Sequence, residues 1–264
     1  MITQIKSFLP EDHLWQNQIV WYDVTDSTND QAKKLIWQGV PHGTVLIADQ
    51  QTDGRGRMGR NFVSAAGVGV YMSIILRLQT PPDQLMHLTC AVAVAACNAV
   101  EKAAGFRPGI KWTNDLVCGG KKLAGILTEL VITPTETAAI IGIGVNCCQT
   151  EADFPAEIQS FAGSLSMVCG HSVNRAQVAA ALIESFSQMA DHLLDGKQNI
   201  LDIYRRDCIT VGNQISLVKA DEIRHGYALG IDDEGALIVE FSDKHIESVN
   251  AGEVSVRGMY GYTT

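Results

Sequence analysis

Asp53-Gly54-Arg55-Gly56-Arg57-Met58-Gly59-Arg60 is the stretch on which the choice of fold turns. Its glycines at 54, 56 and 59 satisfy G-x-G-x-x-G, the phosphate-binding turn of dinucleotide folds. That turn needs a strand before it, a helix after it, and an acidic residue about twenty positions on. A strand does precede it, because Thr44 to Ala48 is a run of β-branched and apolar residues. The next residues are Asn61-Phe62-Val63-Ser64-Ala65-Ala66-Gly67, and then comes a second extended run, Gly69 to Leu78, with Asp83 as the nearest acid downstream. The helix and the acid are both missing, so a doubly wound dinucleotide fold is excluded. What remains is a loop of three arginines among three glycines on a chain of net charge −9. Glycine lets backbone approach a ligand closely, and arginine offers a planar fork to phosphate or carboxylate. The pattern predicts a site for a small anion; it also fits a mobile surface loop, which is what a lid over a reactive intermediate requires.

The length of 264 residues, with 46% hydrophobic and 19% charged residues, predicts one large globular domain, or a large and a small one. The acidic balance argues against a broad nucleic-acid surface. No apolar run reaches membrane-spanning length, and Met1 to Leu14 is not a signal peptide. The seven cysteines form no C-x-x-C pair, and Cys90 and Cys97 fall on one predicted helix as core residues. A reduced, cytoplasmic protein without disulfides or a zinc cluster is expected.

Outward from the loop, Ser27 or Thr28 opens a capping box and a short helix that stops at Gly39. Pro81-Pro82-Asp83 opens a long helix ending at Gly105. Four strands come next: Gly109 to Trp112, Leu116 to Cys118, Leu123 to Ile132 and Ala138 to Val145. Asn174 caps a second long helix that runs toward Gly196, and a shorter helix covers about Asn199 to Arg206. From Gly212 short strands alternate with turns such as Asp232-Asp233-Glu234-Gly235. The predicted class is α+β: a mixed sheet flanked by helices over residues 1–211, then a small SH3-like β-barrel over 212–264.

Three further segments carry chemistry. Lys111-Trp112-Thr113-Asn114-Asp115 lies at a strand end, and Lys121-Lys122-Leu123-Ala124-Gly125 opens the strand after the next turn. The paired lysines are either a solvated hairpin tip or a fixed cation aimed into a cleft. Gly142-Ile143-Gly144-Val145-Asn146 puts two glycines on one face of a strand, which favours close ligand approach. The chain has no P-loop, no G-x-S-x-G elbow and no histidine spacing suited to a transition metal.

Five motifs in order, Asp26-Ser27-Thr28-Asn29, Gln51 to Arg57, Lys111 to Leu116, Lys122 to Glu129 and Gly142 to Asn146, closely resemble those of the biotin–protein ligases. The resemblance covers about residues 20 to 258, including the C-terminal module. It implies an ATP-dependent, AMP-forming ligase. Biotin and Mg-ATP would give biotinoyl-adenylate, and biotin would then pass to a lysine of a biotin carboxyl carrier domain. By the same resemblance Ser27, Thr28, Asn29, Gln51, Gly54, Arg57, Lys122, Gly125, Leu127 and Gly142 would bind biotin. Arg55, Arg57, Arg60, Phe62, Lys111, Asn114, Lys122 and Asn146 would bind ATP, with Lys122 and Arg57 catalytic. Asp115 would hold Mg²⁺ or the loop geometry. The family often has proline where Thr113 stands and tryptophan at Phe62.

Some relatives add an N-terminal helix-turn-helix. Only about twenty residues precede Trp21 here, so a ligase without DNA binding is expected. Monomer and homodimer both remain open. The alternatives are a lipoate ligase or lipoyl/octanoyl transferase, and a biotin sensor that has lost catalysis.

Overall fold

The computed structural model describes residues 1–134, 136–219, 222–250 and 255–257. Of the module expected over 212–264, residues 220, 221, 251–254 and 258–264 lie outside the described residues. The chain runs through α1 (Ile2–Phe8), β1 (Ile19–Thr25), α2 (Thr28–Trp37), β2 (Thr44–Gln51), β3 (Gly69–Leu78) and α3 (Leu88–Ala104). It continues through β4 (Gly109–Lys111), β5 (Asp115–Cys118), β6 (Lys121–Ile132), β7 (Thr137–Asn146), α4 (Leu165–Cys169), α5 (Arg175–Asp191) and α6 (Lys197–Asp207). The C-terminal module contributes β8 (Gln214–Lys219), β9 (Glu222–Ile231), β10 (Leu237–Phe241), β11 (Ile246–Val249) and β12 (Ser255–Arg257).

The expected α+β class is borne out. Seven strands form one mixed sheet in the order β1-β2-β3-β7-β6-β5-β4, parallel only between β1 and β2. The last five form a separate antiparallel sheet, β11-β10-β9-β8-β12. Alternation along the strands assigns the two faces of the large sheet. Val45, Ile47, Ile74, Leu76, Ile141 and Val145 join the main core with α3 and α5. Leu46, Ile75, Ala138 and Ile140 point the other way and pack under Ala32 and Ile36 of α2. Helix α2 is short and shelters only part of this second face. The uncovered part carries Ser73, Gly142, Gly144, Gly125 and Leu127, in register across β3, β7 and β6.

Asn174 caps α5 as expected, its side chain accepting from the N–H groups of Ala176 and Gln177. Gly105 ends α3 in the left-handed conformation at φ 77°. The capping box expected at Ser27 or Thr28 does not form. Ser27 holds the N-cap place without a side-chain capping bond. Gln51 Oε1 takes the Thr28 N–H from the neighbouring strand instead. Asp26 accepts from Gln31 Nε2 and from the Ser27 N–H, contacts that hold its carboxyl down at about 2. A distant partner thus replaced the local one. Among the described residues Pro82–Ala104 is long and apolar enough to cross a bilayer by length and composition, but 72% of its most apolar window is buried inside the protein, as in a core helix.

His87, at the start of α3, is fully buried, with Nε2 donating to Leu193 O at 2.7 Å. Burial lowers its pKa below the ordinary 6.5. The folded ring therefore stays neutral where the unfolded one takes a proton. This stability is present above about pH 6.5 and is lost as the pH falls below it. Urea unfolding at pH 7.5 and 5.5 should show a larger acid loss for the wild type than for His87→Gln. Equal losses would show that His87 does not contribute.

Candidate active site

The uncovered face of the sheet is the floor of a cavity of about 590 Å³. Period two and register together place its residues. Tyr71, Gly144, Gly125, Asp115 and Lys111 stand directly opposite one another across β3, β7, β6, β5 and β4. The next row on the same face is Ser73, Gly142 and Leu127. The glycines make this floor low. A Cβ at Gly142 would overlap the Asn29 carboxamide, and one at Gly144 would overlap the Phe62 ring. Phe62 also reaches over Gly125 and meets Tyr71 edge-on, with ring centroids 6.3 Å apart.

A polar network closes one end of the cavity. Gln51 Oε1 accepts from Thr28 N at 2.8 Å and from Thr28 Oγ1 at 3.1 Å. Gln51 Nε2 donates to Ser64 Oγ at 2.9 Å. Ser73 Oγ lies 2.7 Å from Thr28 Oγ1 and 2.6 Å from Asn29 Oδ1. Asn29 Nδ2 donates to Leu127 O and to Glu129 Oε2. Ser73 was not singled out from the sequence, although it is a lone hydroxyl among the aliphatics of Met72-Ser73-Ile74-Ile75-Leu76. That break in an apolar run was the signal available.

The other end is cationic. Arg55, Arg57, Arg60, Lys111 and Lys122 line it, against the two carboxylates Asp115 and Glu157. On a chain of net charge −9 this is the local reversal that the Gly/Arg loop foreshadowed. Lys122 Nζ lies 2.7 Å from Asp115 Oδ1, so Lys122 is a fixed cation in the cleft and not a solvated hairpin tip. Its backbone is held as well: Lys122 N donates to Phe161 O, and Gly163 N donates to Lys122 O. Arg57 Nη1 donates to Asn114 Oδ1 at 3.1 Å, and Asn114 Nδ2 donates to Ile126 O. Burial lowers the Arg57 pKa while Asp115 opposes the shift; guanidinium remains charged in any case.

The Gly/Arg loop is a tight hairpin over this end. Gly56 N donates to Arg60 O and Phe62 N to Gly54 O, with an antiparallel bridge between Arg55 and Asn61. Met58 and Gly59 turn its tip at φ 56° and 71°. Among residues expected at the site, Gly54 alone does not line the cavity. It is buried at the base of the loop, where a Cβ would run into Phe62 O and Ser64 Oγ. Its place is conformational.

The remaining expected residues do line the cavity, and the side-chain amides of three asparagines among them also make hydrogen bonds within the protein. The amides of Asn29 and Asn114 are committed as described, and Asn146 donates to Gly163 O while accepting from Gln149. Phe154, Pro155, Ile158, Phe161 and Ala162 complete one wall. No sequence pattern marked that segment. Among the described residues no group of three or more His, Cys, Asp or Glu side chains could hold a metal ion.

Comparison with known proteins agrees with this geometry. Residues 21–146 match the biotin/lipoate A/B protein ligase family, and residues 210–257 match the biotin protein ligase C terminal domain. The bifunctional ligase/repressor BirA of Bacillus subtilis is 36% identical over 240 residues, spanning 90% of this chain and 74% of its own. The chain belongs to the biotin protein ligase family. A second family member, the biotin–[acetyl-CoA-carboxylase] ligase of Paracoccus denitrificans, is 32% identical over 81% of this chain and 91% of its own. The biotin protein ligase of Aquifex aeolicus, solved in complex with biotin and ATP, superposes with a TM-score of 0.76 at 27% identity. It spans 90% of this chain and 98% of that one. The family reached from five ordered motifs is thus borne out.

Proposed function

We propose that this ligase activates biotin with Mg-ATP and transfers it to a lysine of a biotin carboxyl carrier domain. The observation that carries this is the two-ended cavity: a hydrogen-bonding network at one end and a cluster of cations at the other, joined by a glycine floor. In the first step a biotin carboxylate oxygen attacks the α-phosphate of ATP, forming the mixed anhydride and releasing pyrophosphate. In the second a carrier lysine amine attacks the acyl carbon and displaces AMP. Both steps gather negative oxygens, so fixed cations and orientation suffice without a covalent enzyme intermediate.

The ureido end of biotin meets Ser27, Thr28 and Gln51, and its rings lie on Gly125, Leu127 and Gly142. Arg57 and Lys122 bridge the carboxylate and the α-phosphate, with Lys122 the principal electrostatic stabiliser. Arg60 and Lys111 face the phosphates, Arg55 orders the loop through its ion pair with Asp30, and Phe62 stacks with adenine. Asn29, Asn114 and Asn146 act by holding the walls. Mg²⁺ is bound in such sites by one or two carboxylates together with substrate phosphates and water. Asp115, the acid beside Lys122, suits that limited role. A bound ion would offset triphosphate charge. The seven free cysteines fit a reducing compartment such as the cytoplasm.

The polar network favours biotin over lipoate. A dithiolane offers it no hydrogen bonds, and a site built for polar partners rejects an analogue that leaves them unpaired. With Mg-ATP, biotin should support pyrophosphate exchange and labelling of a carrier domain, while lipoate supports neither. Exchange with lipoate alone would overturn the assignment, and exchange with neither would indicate a sensor.

A further inference from the structure

Arg55 leaves the Gly/Arg loop and points back to α2. Its Nη2 lies 2.8 Å from Asp30 Oδ2, whereas Asp53, the other acid near it, is 4.0 Å away. Asp30 is itself fixed. Lys33 Nζ reaches Asp30 Oδ1 at 3.4 Å and Glu129 Oε1 at 2.8 Å. Glu129 Oε2 accepts from Asn29, whose carboxamide fills the space above Gly142. A continuous chain of charges and hydrogen bonds thus runs from the loop across the first turn of α2 to β6 and the closed end of the cavity.

We propose that Asp30 is a positioning residue that holds the Gly/Arg loop down over the cavity by gripping Arg55. The loop is cross-linked by its own backbone hydrogen bonds, so fixing Arg55 fixes the hairpin as a unit. Its other anchor is Arg57 on Asn114, across the cavity mouth. The two anchors pin opposite sides of the loop. An acid in a helix's first turn also favours the helix dipole, but that alone would not require Arg55, nor the Lys33–Glu129 brace behind it. The functional consequence rests on the proposed ligase activity: a pinned loop retains the acyl-adenylate and keeps water from it.

The test measures tryptic cleavage after Arg57 and Arg60 in the substrate-free protein. Asp30→Asn and Arg55→Gln should each raise it about two- to fivefold, the effect of losing one partly exposed ion pair. The double variant should cut no faster than the faster single one, because both remove the same contact. Release of labelled adenylate should rise by the same factor. Unchanged cleavage in Asp30→Asn would overturn the proposal, as would additive effects. So would faster cutting at every site with a lower Tm, which would make Asp30 only a helix residue. Since trypsin needs no substrate, the latch is judged independently of the ligase assignment.

Discussion

Lys122→Ala is expected to lower biotin-dependent pyrophosphate exchange by roughly 10²–10³, the usual effect of removing one prepositioned electrostatic stabiliser. The ammonium stands 2.7 Å from Asp115, at the cationic end of the cavity. When carboxylate and triphosphate meet there, the alanine variant would present them with the Asp115 carboxylate and no neighbouring cation from this position. Repulsion then replaces attraction. The fall should appear in kcat more than in the KM for biotin, because the charge to be stabilised grows on the α-phosphate in the transition state. The fold should survive, since the contacts that strap Lys122 to Phe161 and Gly163 are main-chain bonds that alanine retains. Lys122→Arg keeps the charge but spreads it over a planar fork, and should recover only part of the rate. An unchanged exchange rate in Lys122→Ala would return this residue to the role of an ordinary hairpin lysine.

The legible part of this site was the part written in local sequence. Glycines at 142 and 144 in a strand, arginines between glycines at 55 and 57, and the Lys111 to Asp115 segment are unusual wherever they occur. Their order along the chain gave the family. Strand β3 was legible end to end, because Gly69 to Leu78 is rich in β-branched and apolar residues and has no glycine or proline inside it. Contacts between distant residues were not legible. That Gln51 rather than Ser27 would satisfy the Thr28 N–H depends on a partner 23 positions away. That Asn29 would face Glu129 depends on one 100 positions away. Strand β1 pairs in parallel with β2, and its half-exposed face lacks a clean alternation. The Phe154 to Gly163 segment has no regular structure or motif, yet it holds Lys122 by its backbone. Backbone-mediated roles leave no residue-type signature. For the same reason the internal hydrogen bonds of the three asparagines, to Glu129, Ile126 O and Gly163 O, could not be read from the residue types.

Gly142→Ala should weaken biotin binding by roughly thirty- to a thousandfold, or about 2–4 kcal/mol, combining an overpacked contact with a displaced buried hydrogen bond. A methyl at this position would overlap the Asn29 carboxamide, so one of the two must move. Gly142 lies mid-strand, paired on both sides with Ser73 and Leu127, and cannot retreat. Asn29 would therefore be driven away from Ser73, Leu127 and Glu129. Ser73 also touches Thr28, so the disturbance reaches the group proposed to receive the ureido ring. Gly144→Ala provides the contrast, because its methyl meets the Phe62 ring and should act mainly on ATP affinity. Calorimetric titration of each variant with biotin and with ATP separates the two effects. Adding Asn29→Ala to Gly142→Ala removes the colliding carboxamide, and should recover part of the biotin affinity if the collision is the cause. Full-strength biotin binding by a folded Gly142→Ala variant would mean that the slot does not lie on this face of the sheet.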